Sequence, residues 1–203
     1  MTDLGYMPIG LWLDLLKYCQ ENNIQCNFTQ RCSDYISSFN TLKKDDIVSY
    51  INELFDGAVN EKGKQFSPRG YQIDAIYTLL KYRMSTAEIS TSSGKTLIAY
   101  VIFKYLIEKC NIKKILYIVP SIDLAEQSAE KYKEYESFLK NPNNDWTTGI
   151  LIGGISKKQQ KINETCNILF ATFQSLKNKD KMFFKQFDAC INDECHHISG
   201  SSV

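Results

Sequence analysis

Apolar residues recur along this 203-residue chain with two different periods. Leu11, Leu15 and Tyr18, flanked by Trp12, Leu16 and Cys19, form an i, i+4, i+7 stripe after Pro8 and Gly10. That spacing predicts an amphipathic helix ending near Glu21-Asn22-Asn23. Ile24, Cys26 and Phe28 then alternate with Gln25, Asn27 and Thr29, the pattern of a half-buried strand. Asp45 opens a second helix with Ile47, Val48, Ile51, Leu54 and Phe55 on one side, closing at Asp56-Gly57. The polar run from Asn60 to Lys64 reads as a linker. The expected division is therefore a small α+β module over residues 1–62 and a larger domain over 63–203.

In the second part, Ser67-Pro68 starts a helix whose apolar stripe is Tyr71, Ala75, Ile76, Leu79 and Leu80 and which ends at Arg83. A short β-prone stretch, Thr86 to Ile89, precedes a helix marked by Leu97, Val101, Tyr105 and Leu106. Behind Lys113-Lys114, ILYIVP is a short apolar run of the kind buried on both faces of a parallel sheet. Leu124, Ala125, Ser128, Tyr132 and Tyr135 predict a helix over 121–140, broken by Asn141-Pro142-Asn143-Asn144. Thr148 to Ile152, NILFAT (167–172) and FDACIN (187–192) are three further short strands, the first ending in the Gly153-Gly154 turn. Strands alternating with helices predict an α/β fold, a doubly wound parallel sheet.

One stretch is unlike the rest. ISTSSGKT, Ile89 to Thr96, gathers hydroxyls, a glycine and a lysine between apolar segments. Such a loop wraps backbone N–H groups round an anion, sends a lysine to the β and γ phosphates and offers a hydroxyl to Mg²⁺. Thr91, Ser92, Ser93, Gly94, Lys95 and Thr96 are the candidate phosphate ligands, with Thr96 as a metal ligand. Ile89 stands where the strict pattern has glycine, and a serine-rich turn capping a helix is the plain alternative. Strand before and helix after favour the phosphate loop.

Open parallel sheets bind ligands beyond the carboxyl ends of their strands. After FDACIN comes Asp193-Glu194-Cys195-His196. Asp193 can hold a hard cation, while Glu194 can orient or deprotonate a water. A solvated acidic turn is the alternative, and position after a buried strand downstream of Lys95 argues against it. Cys190, Cys195, His196 and His197 have zinc-ligand chemistry but no common zinc spacing, so no zinc is expected.

The balance of 24 basic against 23 acidic residues excludes a globally basic nucleic-acid wrapper. Seven cysteines without a C-x-x-C pair suggest a reducing compartment, and Asp14 and Lys17 interrupt the first apolar run, so neither a signal peptide nor a membrane span is expected.

STSSGKT and DECH together resemble motifs I and II of the superfamily 2 helicases and translocases of the DExH type. Arg69-Gly70-Tyr71-Gln72 resembles the R-x-Y-Q element before motif I, which implies that Arg69 and Gln72 belong to the nucleotide site and that Gln72 reads the adenine edge. IVPSIDLAEQ (118–127) is similar to motif Ia, Gly153-Gly154 to the glycine pair of motif Ib, and ATFQSL (171–176) to the T-x-x-x-L motif. The resemblance implies a RecA-like fold, ATP and Mg²⁺ as cofactors, and Lys95, Asp193 and Glu194 as catalytic residues. It also implies DNA, single-stranded or branched, gripped by strand-end loops carrying Ser121, Gln127, Gly153, Gly154, Thr172 and Gln174.

Ile89 and Ser90 depart from the family pattern, in which a small residue and proline are usual. Val203 follows motif II closely, so the strand with the S-A-T motif and a second RecA-like domain with its arginine finger are expected from elsewhere, in cis or in trans. That arginine is worth about 10³–10⁵ in rate, so this chain alone should barely turn over. Two other readings stay open: the motor subunit of a restriction system, for which no nuclease carboxylate cluster is visible before Gly63, and a non-catalytic nucleotide-dependent DNA-binding module. The expected location is the cytoplasm, that of the host if the gene is a phage's.

Overall fold

The computed structural model describes residues 12–27 (side chains from 15), 30, 41–82, 85–90, 92–142, 146–154 and 165–195. Their elements are α1 (Trp12–Glu21), α2 (Lys44–Leu54), α3 (Gly70–Tyr82), α4 (Lys95–Cys110), β1 (Ile115–Val119), α5 (Ile122–Phe138), β2 (Thr148–Leu151), β3 (Ile168–Thr172), α6 (Phe173–Leu176), α7 (Lys181–Lys185) and β4 (Ala189–Asn192). The four strands form one sheet in the order β2-β3-β1-β4. Every ladder is parallel, with Ile115 opposite both Ile168 and Ala189. This is the α/β parallel sheet that the alternation of strand and helix patterns predicts.

The strands at the centre are apolar on both sides because both sides are covered. Ile115, Tyr117, Val119, Ile168 and Phe170 meet α4 and α5 in the larger core. Leu116, Leu151, Leu169 and Ala171 face the other way, onto Leu176, Phe183 and Phe187. Aromatic edges organise the first core. Phe103 meets Tyr117 at 5.5 Å and Phe170 at 6.4 Å, and Tyr100 meets Tyr132 at 5.1 Å, all edge-on.

Helix α4 departs from the one-sided stripe that its sequence predicts. Leu97 to Lys104 are all buried, since the helix lies between the sheet, α3 and α5. Burial all round leaves Lys104 without water, at 2% exposure. Its ammonium sits 3.1 Å from Glu108 Oε1 and 3.0 Å from Glu136 Oε1 on α5, and the Tyr50 hydroxyl of α2 donates to Glu108 Oε2 at 2.9 Å. One ionic and hydrogen-bonded cluster thus joins α2, α4 and α5.

Ile47, Tyr50, Ile51, Phe55 and Ala58 belong to the same apolar core as α3, α4 and α5. The polar run behind α2 is a fixed turn. Asn60 Oδ1 accepts from the backbone N–H of Lys62 and Lys64, and Val59 and Gln65 form an antiparallel bridge. Phe66 then packs on Phe55, Tyr135 and Phe138. Two predicted strands are not formed among the described residues: 24–27 and 85–90 both run irregularly, while Phe28 and Thr29 lie outside the described residues. Ala87 and Ile89 turn inward, but a groove of about 1700 Å³ lies between 85–90 and β4, and a strand exists only where a neighbour completes its ladder.

Removing Lys104 strands two carboxylates on one side of the core. Lys104→Ala should lower the unfolding free energy by about 3–5 kcal/mol, read from the urea midpoint. Asp74→Asn, which breaks the solvent-exposed pair with Lys44, should leave that midpoint nearly unmoved.

Candidate nucleotide site

Two turns of opposite charge meet at the carboxyl edge of the sheet. The first is the loop from Ser90 into α4. Ser93 N–H donates to Ser90 O at 3.3 Å, and the Ser93 hydroxyl closes on the same carbonyl. Gly94 is the N-cap of α4 with φ of 84°, and its carbonyl accepts from the N–H groups of Leu97 and Ile98. Helical bonding therefore begins immediately after the glycine. The first-turn N–H groups that a helix cannot satisfy internally belong to Lys95 and Thr96, where an anion would be received.

The second turn follows β4. Asp193 N–H continues the parallel ladder by donating to Ile118 O at 2.9 Å. Asp193 Oδ2 accepts from the Tyr117 hydroxyl at 3.1 Å, and Asp193 Oδ1 from the Glu194 N–H at 3.1 Å. Glu194 has φ of +55° and reaches across to Lys95, whose Nζ lies 2.5 Å from Glu194 Oε1. Residues 95 and 194 are thereby joined, with side chains 26% and 28% exposed. The Glu194 hydrogen bond, and then the charges of Glu194 and Asp193, hold the Lys95 ammonium above its usual pKa, so it stays charged. Burial, followed by Asp193, pushes Tyr117 up and keeps its phenol protonated.

Of the four non-glycine residues with positive φ among the described residues, Asn23 and Asn111 are of the type that tolerates it. The other two, Ser92 at +64° and Glu194 at +55°, both lie in this site. Strained backbone of this kind gathers where a surrounding structure fixes functional groups.

Gln72 lies beneath the loop with 5% exposure. Its Oε1 accepts from Arg69 N–H at 2.8 Å and its Nε2 donates to Ser93 O at 2.9 Å, so both ends of the amide brace α3 and the loop. Tyr71, absent from the predicted ligand set, donates its hydroxyl to the same carbonyl at 2.8 Å. The signal for it was its place between Arg69 and Gln72. Arg69 is exposed beside them, Thr96 is half-buried one residue into α4, and Thr91 lies outside the described residues.

The donors present suit a magnesium ion. Asp193 and Thr96 offer hard oxygen donors, the type Mg²⁺ takes when waters and substrate phosphates complete its shell. No group of three His, Cys, Asp or Glu side chains among the described residues is placed to enclose a metal without such help. His196 and His197 lie outside the described residues.

Because the strands are parallel, four of the predicted nucleic-acid residues share the edge that carries Asp193, while Gln127 lies within α5 and Gln174 within α6. Ser121 follows β1, Gly153 and Gly154 follow β2, and Thr172 ends β3. They differ in what they present. Gln127, Gly153, Gly154 and Gln174 are exposed. Ser121 is exposed too, yet its hydroxyl caps α5 by accepting from Leu124 N–H. Thr172 is 3% exposed, with its hydroxyl engaged by Ser175 as the cap of α6. Lys157, Lys158 and Lys161 lie outside the described residues.

A Cβ at Gly94 would meet Gln72 Nε2 at 2.4 Å and would sit at a φ that side chains avoid. Gly94→Ala should therefore lower the unfolding free energy by about 1–3 kcal/mol in a urea titration. Gly153→Ala, with nothing within 4 Å of its Cβ, should leave the midpoint in place.

Residues 65–203 match the family described as type III restriction enzyme, res subunit. The ATP-dependent DNA helicase uvsW of Enterobacteria phage T4 is 28% identical over 97% of this chain and 36% of its own length. A probable helicase of African swine fever virus, A859L, is 27% identical over 77% of this chain and 18% of its own. The solved structure of the bacteriophage T4 UvsW helicase superposes with a TM-score of 0.77 at 26% identity, over 96% of this chain and 64% of that one. The chain thus spans about a third of the length of the T4 helicase. With the phosphate-type loop, the DECH turn and a RecA-like parallel sheet matching UvsW, the chain belongs to the helicase family of the type III restriction enzyme res subunit.

Proposed function

We propose that this chain binds ATP with Mg²⁺ and serves as the first motor domain of an ATP-dependent DNA helicase or branch-migrating translocase, behind an accessory module over 1–62 whose helix α2 packs into the motor domain's own core. The observation that carries the reading is the 2.5 Å contact between Lys95 and Glu194, which brings the two motifs into one site. The phosphates of a nucleotide would take the Lys95 ammonium from Glu194. The loop from Thr91 to Thr96 cradles the phosphates, Arg69 and Gln72 lie on the adenosine side, and Thr96 and Asp193 would hold the ion. An Mg²⁺ held by those two residues would supply charge neutralisation for the phosphates. Glu194, relieved of Lys95, turns to orient or deprotonate the attacking water.

Hydrolysis at a useful rate needs the cation of a second RecA-like domain, in cis or in trans. Nucleic acid is proposed to cross the sheet edge at Ser121, Gln127, Gly153, Gly154, Thr172 and Gln174. No helix among the described residues is long and apolar enough to cross a membrane. The proposed location, the cytoplasm, rests on the likeness to the phage helicase. A second reading, the motor of a restriction system, is favoured by the family match over 65–203.

Lys95→Ala should abolish binding of a fluorescent ATP analogue in titration, because it removes the ammonium at the first residue of α4, beside the loop, and charge-assisted bonds to phosphate are the strong ones. Unchanged affinity would sink the phosphate site. For nucleic acid, near-zero net charge predicts weak single-strand affinity with a shallow salt slope. Gly153→Pro combined with Thr172→Ala should weaken that binding and spare the ATP analogue. Intact single-strand binding in the double variant would move the strand to another face.

A further inference from the structure

The loop is held from below by a residue that the nucleotide reading does not use. The Ser93 carbonyl accepts two hydrogen bonds, from the Tyr71 hydroxyl at 2.8 Å and from Gln72 Nε2 at 2.9 Å. Two donors use the two lone pairs of that oxygen. A trans peptide is planar, so fixing the direction of Ser93 C=O fixes the Gly94 N–H in the opposite sense, away from α3 and toward the open side of the loop. Gln72 is itself locked by Arg69 N–H and is buried, whereas Tyr71 is 45% exposed. The amide forms the rigid half of the clamp and the phenol the solvent-facing half.

We propose that Tyr71 is a positioning residue of the phosphate loop, whose hydroxyl aims the Gly94 N–H at the bound phosphate and so sets affinity for any polyphosphate whatever its base. The inference rests on the phosphate-site reading given above. It separates the clamp from base recognition, because the hydroxyl donates to loop backbone, the Ser93 carbonyl.

The test compares the full chain with Tyr71→Phe, which removes one oxygen and keeps the ring, for binding of ATP, GTP and inorganic tripolyphosphate. The variant should bind all three about threefold to tenfold more weakly with the ATP-to-GTP ratio unchanged, and the thermal midpoint should fall by no more than the loss of one neutral hydrogen bond. Tripolyphosphate affinity unchanged in the variant overturns the proposal, whether or not ATP and GTP weaken. A loss confined to the nucleotides would assign Tyr71 to the base instead. A fall in thermal midpoint with binding of all three unchanged also overturns it, in favour of a purely structural hydroxyl. Failure of the unsubstituted chain to bind any of the three ligands would reject the phosphate site itself.

Discussion

The parallel ladder between β1 and β4 is the constraint on which the site depends. It pairs Ile118 with Asn192 and carries one bond further, from Asp193 N–H to Ile118 O. That last bond decides where the acidic turn begins. With it, Asp193 stands over Tyr117 and Glu194 reaches the lysine that starts α4. A slip of one residue would turn every β4 side chain to the other face and carry both carboxylates away from Lys95. The parallel sense of all three ladders has a second consequence: whatever follows β1, β2 and β3 emerges on the same edge. Ligand chemistry supplied by separate loops can then converge without any loop being long.

The site is also poised electrostatically. Lys95 and Glu194 satisfy each other at 2.5 Å with about a quarter of each side chain exposed. Water therefore screens the pair, and separating it costs far less than separating a buried one. The pair of Lys104 with Glu136 is the contrast. It lies within the core at 2% and 8% residue exposure and has no such alternative partner in solvent. The exposed pair is suited to exchange, and the buried one to fixing the distance between α4 and α5.

Much of this was legible in the sequence, for identifiable reasons. Helices α2, α3 and α5 and all four observed strands announce themselves by period and by apolar runs, since burial on one face or two leaves that trace. The loop and the acidic turn stood out in the sequence because a hydroxyl-rich run ending in Gly94-Lys95-Thr96 and a carboxylate pair after a buried strand are unlike the rest of the chain. The stretch at 85–90 misled because alternation reports only which side chains turn inward, not whether a partner strand is present, and at 24–27 even that fails, since Ile24 is exposed. Lys104 reads as the polar side of α4 and is buried, because sequence cannot show that a third layer covers that side. Tyr71 reads as one apolar position in a helical stripe, and only its hydroxyl distance to Ser93 O reveals the clamp. Thr172 reads as a hydroxyl offered to a ligand, whereas the start of α6 consumes it.

Helix α4 joins these observations. Its second half is tied through Lys104 and Glu108 to α2 and α5, and its flanks are buried in apolar and aromatic contacts. Its first residue carries the ammonium and its cap is the loop glycine. A helix fixed so thoroughly along its length cannot move toward a ligand without disturbing the core. Adjustment at the site must then come from the two turns, and that is where the backbone holds Ser92 and Glu194 at positive φ. Rearrangement of either turn relieves a local cost of about 1–3 kcal/mol, which a ligand can draw on while the scaffold beneath stays still.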